Sequence, residues 1–126
     1  MQLQESGEMY LEAILVLSQR GKPVRSIDVS EYLGYTKPSV SRAMSLLRGD
    51  GYVEMDRNNY LTLTDKGSEV AERIYERHRV LTKLFSDLGV SGETAAEDAC
   101  RIEHVISEET FRAIKRHSEQ YGTKSS

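Results

Sequence analysis

The segment from Ser26 to Leu63 narrows the possible folds of this chain more than any other stretch. It holds a short apolar-periodic stretch, Ile27 to Leu33, the turn Gly34-Tyr35-Thr36, and a second periodic stretch from about Lys37 to Arg48. Ser26 and Thr36 stand directly before these stretches, so each is expected to cap a helix, and Pro38 suits the first turn of the second. One inner stripe is Ile27, Val29 or Ser30, and Leu33; the other is Val40, Ala43 or Met44, and Leu47. Gly49-Asp50-Gly51 stops the second helix. Two alternating runs follow, Tyr52-Val53-Glu54-Met55 and Tyr60-Leu61-Thr62-Leu63. Their connector, Asp56-Arg57-Asn58-Asn59, is rich in Asx residues, which predicts a hairpin.

Upstream, Gly7 to Gln19 reads as an amphipathic helix with Met9 or Tyr10, Ala13, Ile14 and Leu17 on one face. Arg20-Gly21-Lys22-Pro23 ends it. Downstream, Thr64-Asp65-Lys66-Gly67 opens the longest helix, about Asp65 to Leu88, with Val70, Ile74, His78, Leu81, and Leu84 or Phe85 in its stripe. Gly92 to Val105 and Ser107 to Gln120 predict two further helices, the last capped by Ser107, and residues 121–126 are expected to fray. The expected fold is mainly α. A winged helix-turn-helix occupies residues 1–64, and a helical domain occupies residues 65–126.

A formal charge of −3 gives no general attraction to polyanions, so nucleic-acid binding must rest on local charge. From Tyr32 to Gly49 the basic residues are Lys37, Arg42 and Arg48, with no acid among them. Over Arg20 to Lys66 there are eight Lys/Arg against six Asp/Glu. The helix after the turn therefore reads as the DNA reader, with Lys37, Ser39, Ser41, Arg42 and Ser45 facing outward. Hydroxyls donate to phosphate oxygens, and Arg42 is long enough to fork onto a guanine edge. Thr36 sits at a helix N-terminus, whose amides favour anions, and Arg57 at the hairpin tip reaches towards neighbouring phosphates. Ser26 and Pro38 complete the expected DNA-facing set.

Other features bound the setting. No run approaches the ~20 apolar residues that span a bilayer, and the N-terminus lacks the basic start and apolar stretch of a secretory signal. One cysteine cannot form an internal disulfide and suits a reducing compartment, so a cytoplasmic location is expected. An apolar share of 38% makes a lean core, which invites a partner subunit.

Cys100, Glu103 and His104 stand at i, i+3 and i+4, a spacing that predicts one helix face carrying a thiolate, a carboxylate and an imidazole. Met9 and Glu12 offer a thioether and a second carboxylate on the first helix, and His78 lies midway along the long one. Such a mixture of soft and hard donors suits Fe(II), Co(II), Ni(II) or Zn(II) better than Mg(II) or Ca(II). Each residue also has a plainer role: Cys100 and Met9 as core packing, Glu12 as a solvated charge, His78 bonded to a carbonyl. A winged-helix regulator sensing a small ligand or thiol oxidation at Cys100 is a second reading. An enzyme is not expected, because no further acid/base pair, nucleophile elbow or Gly-rich phosphate loop accompanies the cluster.

Glu8-Met9-Tyr10-Leu11, Arg77-His78-Arg79 and the run from Glu97 through Cys100-Arg101-Ile102-Glu103-His104 to Glu109 resemble the metal-dependent repressors of the diphtheria toxin repressor family. The likeness covers about residues 7–120. It implies a winged helix, a helical metal-binding and dimerisation domain, a homodimer on operator DNA, and repression of metal-uptake genes when metal is abundant. The match to the iron-responsive branch makes Met9, Cys100, Glu103 and His104 ligands of the activating metal, with His78 in a neighbouring site. That branch places further ligands where this sequence has Thr82 and Ala96, and many of its members add a C-terminal β-barrel domain. In its shortness the chain is similar to the manganese-responsive branch, where Glu12 and His78 match ligands but carboxylates stand in place of Met9 and Cys100. The sulfur donors favour Fe(II), with Mn(II) as the alternative.

Overall fold

A computed structural model describes residues 3 and 5–121. The expected fraying of the tail falls on residues 122–126 as well as Tyr121, and beyond Tyr121 it lies outside the described residues. In chain order the elements are α1 (Glu5–Ser18), α2 (Ser26–Leu33), α3 (Lys37–Gly49), β1 (Val53–Met55), β2 (Leu61–Leu63), α4 (Asp65–Asp87), α5 (Gly92–Ile102) and α6 (Glu108–Tyr121). Two compact units divide within α4, one up to Glu72 and one from Arg73.

In the first unit, α1, α2 and α3 pack around Leu11, Ile14, Val29, Val40, Met44 and Leu47, all buried. The stripe expected for α3 is the observed one, and Thr36 caps it, its Oγ1 accepting from the Ser39 amide at 3.4 Å. The turn between α2 and α3 depends on Gly34, whose φ of 74° lies where a side chain is disfavoured. Its amide donates to the Ser30 carbonyl at 2.9 Å and closes α2. At the other end of α2 the expectation fails: Ser26 lies inside the helix and Arg25 is the N-cap. Asp28 decides this, because its carboxylate accepts from the Arg25 amide at 2.8 Å, and the helix so gains one residue at its start.

β1 and β2 pair antiparallel with Val53 opposite Leu63 and Met55 opposite Leu61, and Val24 adds a bridge to Leu61. The Asx connector closes as its composition suggests. Asp56 Oδ1 accepts from the amides of Asn58 and Tyr60, at 2.8 and 3.0 Å, and Asn59 takes the left-handed conformation. Thr64 then joins hairpin to helix. Its Oγ1 donates to the Gly51 carbonyl at 2.7 Å and accepts from the Gly67 amide at 3.1 Å, capping α4.

The second unit comprises the rest of α4 with α5 and α6, and buries Ile74, Leu81, Ala95, Ala99 and Phe111. Ser107 caps α6, accepting from the Thr110 amide at 3.1 Å. Two expectations are corrected here. Arg77 rather than His78 occupies the inner stripe of α4, with 8% of its surface exposed. Moreover α5 ends at Ile102, not Val105, so Glu103 is its C-cap and His104 lies in the turn beyond. No helix among the described residues is long and apolar enough to cross a membrane.

Candidate DNA-binding face and metal centre

Each unit carries its own set of candidate side chains. In the first, Thr36, Lys37, Pro38, Ser41 and Arg42 are exposed along one side of α3, and Ser39 is half-buried. Arg57 is exposed in the connector of the hairpin, and Ser26 is half-buried in the first turn of α2. Neither the start nor the outer face of α3 carries an acid, so nothing there opposes a phosphate. Ser26 and Ser41 line one groove together with Ser45, Asn59, Arg48 and a cation that the sequence reading passed over, Arg25. Arg25 is held on the hairpin: its guanidinium lies 4.5 Å from the Tyr60 ring centroid and donates to the Tyr60 hydroxyl at 3.2 Å. No local pattern announces that contact, which spans 35 residues of sequence.

α1 presents Met9 and Glu12, both half-buried, one turn apart. The Met9 sulfur accepts from the Tyr35 hydroxyl at 3.0 Å. Beside it the Tyr10 ring meets the Tyr35 ring edge-on, at 5.9 Å between centroids. Burial pushes the Tyr10 hydroxyl above its usual pKa, Tyr35 adds to the rise, and Arg42 opposes it. The helix bearing Met9 therefore touches the turn that precedes α3.

In the second unit, Glu103 is fully buried, and both of its oxygens face imidazoles. Oε2 is 2.9 Å from His78 Nδ1, and Oε1 is 3.3 Å from His104 Nε2. The His104 side chain is itself buried, whereas that of His78 is 29% exposed. Cys100 is half-buried in the last turn of α5. Two donors bonded to one divalent ion at about 2.1 Å stand roughly 3.0–3.4 Å apart at ordinary coordination angles, and the Glu103–His104 separation falls in that range. A buried carboxylate set against imidazoles, with a thiol one turn away, is a donor set that fits a borderline transition metal. Thr82 and Ala96, both half-buried, add no acid or imidazole to it.

Arg77 is the residue whose part here sequence reasoning missed. Its Nη1 donates to the carbonyls of Glu103 and Ile106, at 3.2 and 2.8 Å, and its Nη2 to the Glu108 carboxylate at 2.9 Å. One side chain thus takes up the carbonyls that the end of α5 exposes and fixes the turn on which Glu103 and His104 sit. The hydrogen bonds from Arg77 and then Arg112 hold the Glu108 carboxyl below the usual carboxylate range. The only sequence hint was the place of Arg77 beside His78; its partners lie 26 to 31 residues away.

A two-helix reader with a hairpin wing, followed by a helical unit bearing buried carboxylate and imidazoles, defines a winged-helix regulator with its own sensor unit. Residues 2–61 match the iron dependent repressor N-terminal DNA binding domain, and residues 64–123 match the iron dependent repressor metal binding and dimerisation domain. The chain belongs to this family of metal-dependent transcriptional repressors, the diphtheria toxin repressor family. It is 31% identical over 125 residues to an HTH-type transcriptional regulator of Methanocaldococcus jannaschii, covering 97% of this chain and 99% of the relative. With the iron-dependent repressor IdeR of Mycobacterium tuberculosis it shares 32% identity over 114 residues, 90% of this chain and 50% of that one. The structure of the manganese regulator SloR superposes with a TM-score of 0.79 at 25% identity, covering 94% of this chain and 55% of SloR. The chain thus spans about half the length of the IdeR and SloR chains and nearly all of the M. jannaschii relative. Its relatives include iron- and manganese-named regulators alike.

Proposed function

We propose that the chain is a cytoplasmic homodimeric repressor that binds operator DNA through α3 when Fe(II), in preference to Mn(II), is held by Met9, Glu12, His78, Cys100, Glu103 and His104. The observation that carries this reading is the Glu103 carboxylate, buried with an imidazole against each oxygen in a unit of the metal-binding family. Burying such a charge in the absence of a cation is costly, which makes it a poor choice for structure alone. The bound cation would supply the positive charge that lets two carboxylates and a thiolate lie together. Cys100 and Met9 provide soft donors, and this is why Fe(II) is favoured over the harder Mn(II).

Of the proposed ligands, Met9 and Glu12 stand on α1, His78 on α4, Cys100 on α5, and Glu103 and His104 at its end. Metal bound only in the DNA-competent arrangement shifts the population towards it, and a coupling of about 1–3 kcal/mol tightens DNA binding roughly 5–150-fold. In a homodimer the two α3 helices would then enter successive major grooves about 34 Å apart. Arg42, exposed and free of neighbouring acids on α3, reads bases, while Thr36, Ser39, Ser41 and Arg57 position the phosphate backbone. Lys37, Pro38 and Ser26 belong to the same face.

Operator binding titrated anaerobically with Fe(II) and separately with Mn(II) tests the metal assignment; the larger response is expected with Fe(II), and a larger one with Mn(II) reverses it. Arg42→Ala is expected to cost about 1–3 kcal/mol of discrimination at a guanine position. Its affinity for metal should stay unaltered. Competition with duplexes substituted one base pair at a time measures this, and an unchanged base preference would remove Arg42 from the reading face.

A further inference from the structure

We infer that Tyr35 is a positioning residue that ties the Met9 thioether to the turn leading into α3, so that the state of Met9 is felt where the reader helix begins. This rests on the reading of Met9 as a metal ligand. The Tyr35 hydroxyl donates to Met9 Sδ at 3.0 Å. Its ring packs edge-on against Tyr10, the next residue of α1. Its backbone, meanwhile, is pinned to α2: the amide donates to the Ser30 carbonyl at 3.2 Å, and the carbonyl accepts from the Ser30 hydroxyl at 2.5 Å. Ser30 is buried, so that anchor is firm. Tyr35 thus stands between Gly34, the left-handed close of α2, and Thr36, the N-cap of α3, with its side chain as an arm onto α1.

The chemistry of sulfur gives this arm a purpose. A methionine side chain has three rotatable bonds and loses that freedom when it becomes a ligand. A hydroxyl donating to one lone pair fixes the rotamer and leaves the other lone pair aimed in a set direction. By reciprocity, whatever Tyr35 contributes to holding Met9 ready for metal, metal at Met9 returns to Tyr35 and the start of α3.

The methionine methyl groups of the full chain, labelled with carbon-13, read this tie with neither metal nor DNA present. Four methionines give four resonances, and Met9→Leu assigns the one of interest. Tyr35→Phe keeps the ring on Tyr10 and removes only the hydroxyl. The Met9 methyl is expected to shift and broaden, while the resonances of Met44 and Met55 stay in place. Co(II) titration should then show affinity weakened about threefold to tenfold in Tyr35→Phe, the range a lost hydrogen bond produces. The double variant with Met9→Leu should bind no more weakly than Met9→Leu alone. An unmoved Met9 methyl in Tyr35→Phe, or losses that simply add in the double variant, overturns the inference. A Met9→Leu chain that binds Co(II) as tightly as the unaltered protein removes Met9 from the ligand set and takes the inference with it. The methyl shift, which needs no metal, tells these two failures apart.

Discussion

Glu103→Ala is expected to weaken divalent-metal binding by about 100-fold or more, with the metal-free fold intact. The carboxylate is fully buried and is shared between His78 and His104, so its removal takes away a proposed ligand and the group that both imidazoles face. Loss of a partner that merely orients a ligand costs about 10–100-fold in affinity, and loss of the ligand itself costs more. Folding responds differently. The buried charge carries a desolvation cost, and deleting it offsets much of what the lost contacts and the cavity take away. Glu103→Gln separates the two effects, since it keeps the volume and one accepting oxygen while removing the charge. Calorimetric titration with Fe(II) or Co(II), together with thermal unfolding of the metal-free variants, measures both. Unchanged metal affinity in Glu103→Ala and Glu103→Gln would remove this residue from the site.

Gly67→Ala should destabilise the first unit by about 1–3 kcal/mol or more, against the local expectation for a helix. Alanine inside a helix is normally favoured over glycine by about 1 kcal/mol. Here a Cβ would overlap the backbone carbonyl oxygen of Tyr52 and come within 3.4 Å of Leu63 Cδ2. The carbonyl cannot move alone. The Tyr52 carbonyl accepts from the Thr64 amide at 3.1 Å, and Thr64 also holds Gly51 and caps α4. A methyl group would push α4 off the hairpin, lowering the melting temperature by about 4–8 °C per kcal/mol for a unit of this size. Gly49→Ala is the control, because a Cβ there meets open space at the end of α3. Equal melting temperatures for the two variants would contradict the close approach.

These two sites show where the sequence is informative and where it is not. α3 was readable because cap, proline and stripe all lie within one helix, and Thr36, Val40, Met44 and Leu47 take the expected places. The Asx connector is equally local, its turn set by Asp56 bonding to residues two and four further on. The end of α5 was not readable. Its apolar periodicity runs on to Val105, but the carbonyls of Glu103 and Ile106 go to Arg77, 26 and 29 residues upstream. For the same reason the pairing of His78 with Glu103 across 25 residues had only residue type to suggest it. Gly67 looked like any residue opening a helix, since the need for glycine arises from Tyr52 on another element. A hydroxyl before an apolar run is a strong cap signal at Ser26, but Asp28 reaching back to Arg25 outweighs it.

In the proposed mechanism, metal occupancy decides whether α3 grips DNA. Fluorescence anisotropy of a labelled operator, recorded anaerobically against free Fe(II) and then against added chelator, examines that dependence directly. Affinity should rise between about 5- and 150-fold as the metal is added and return to its starting value when it is withdrawn. An operator affinity indifferent to both additions would contradict it.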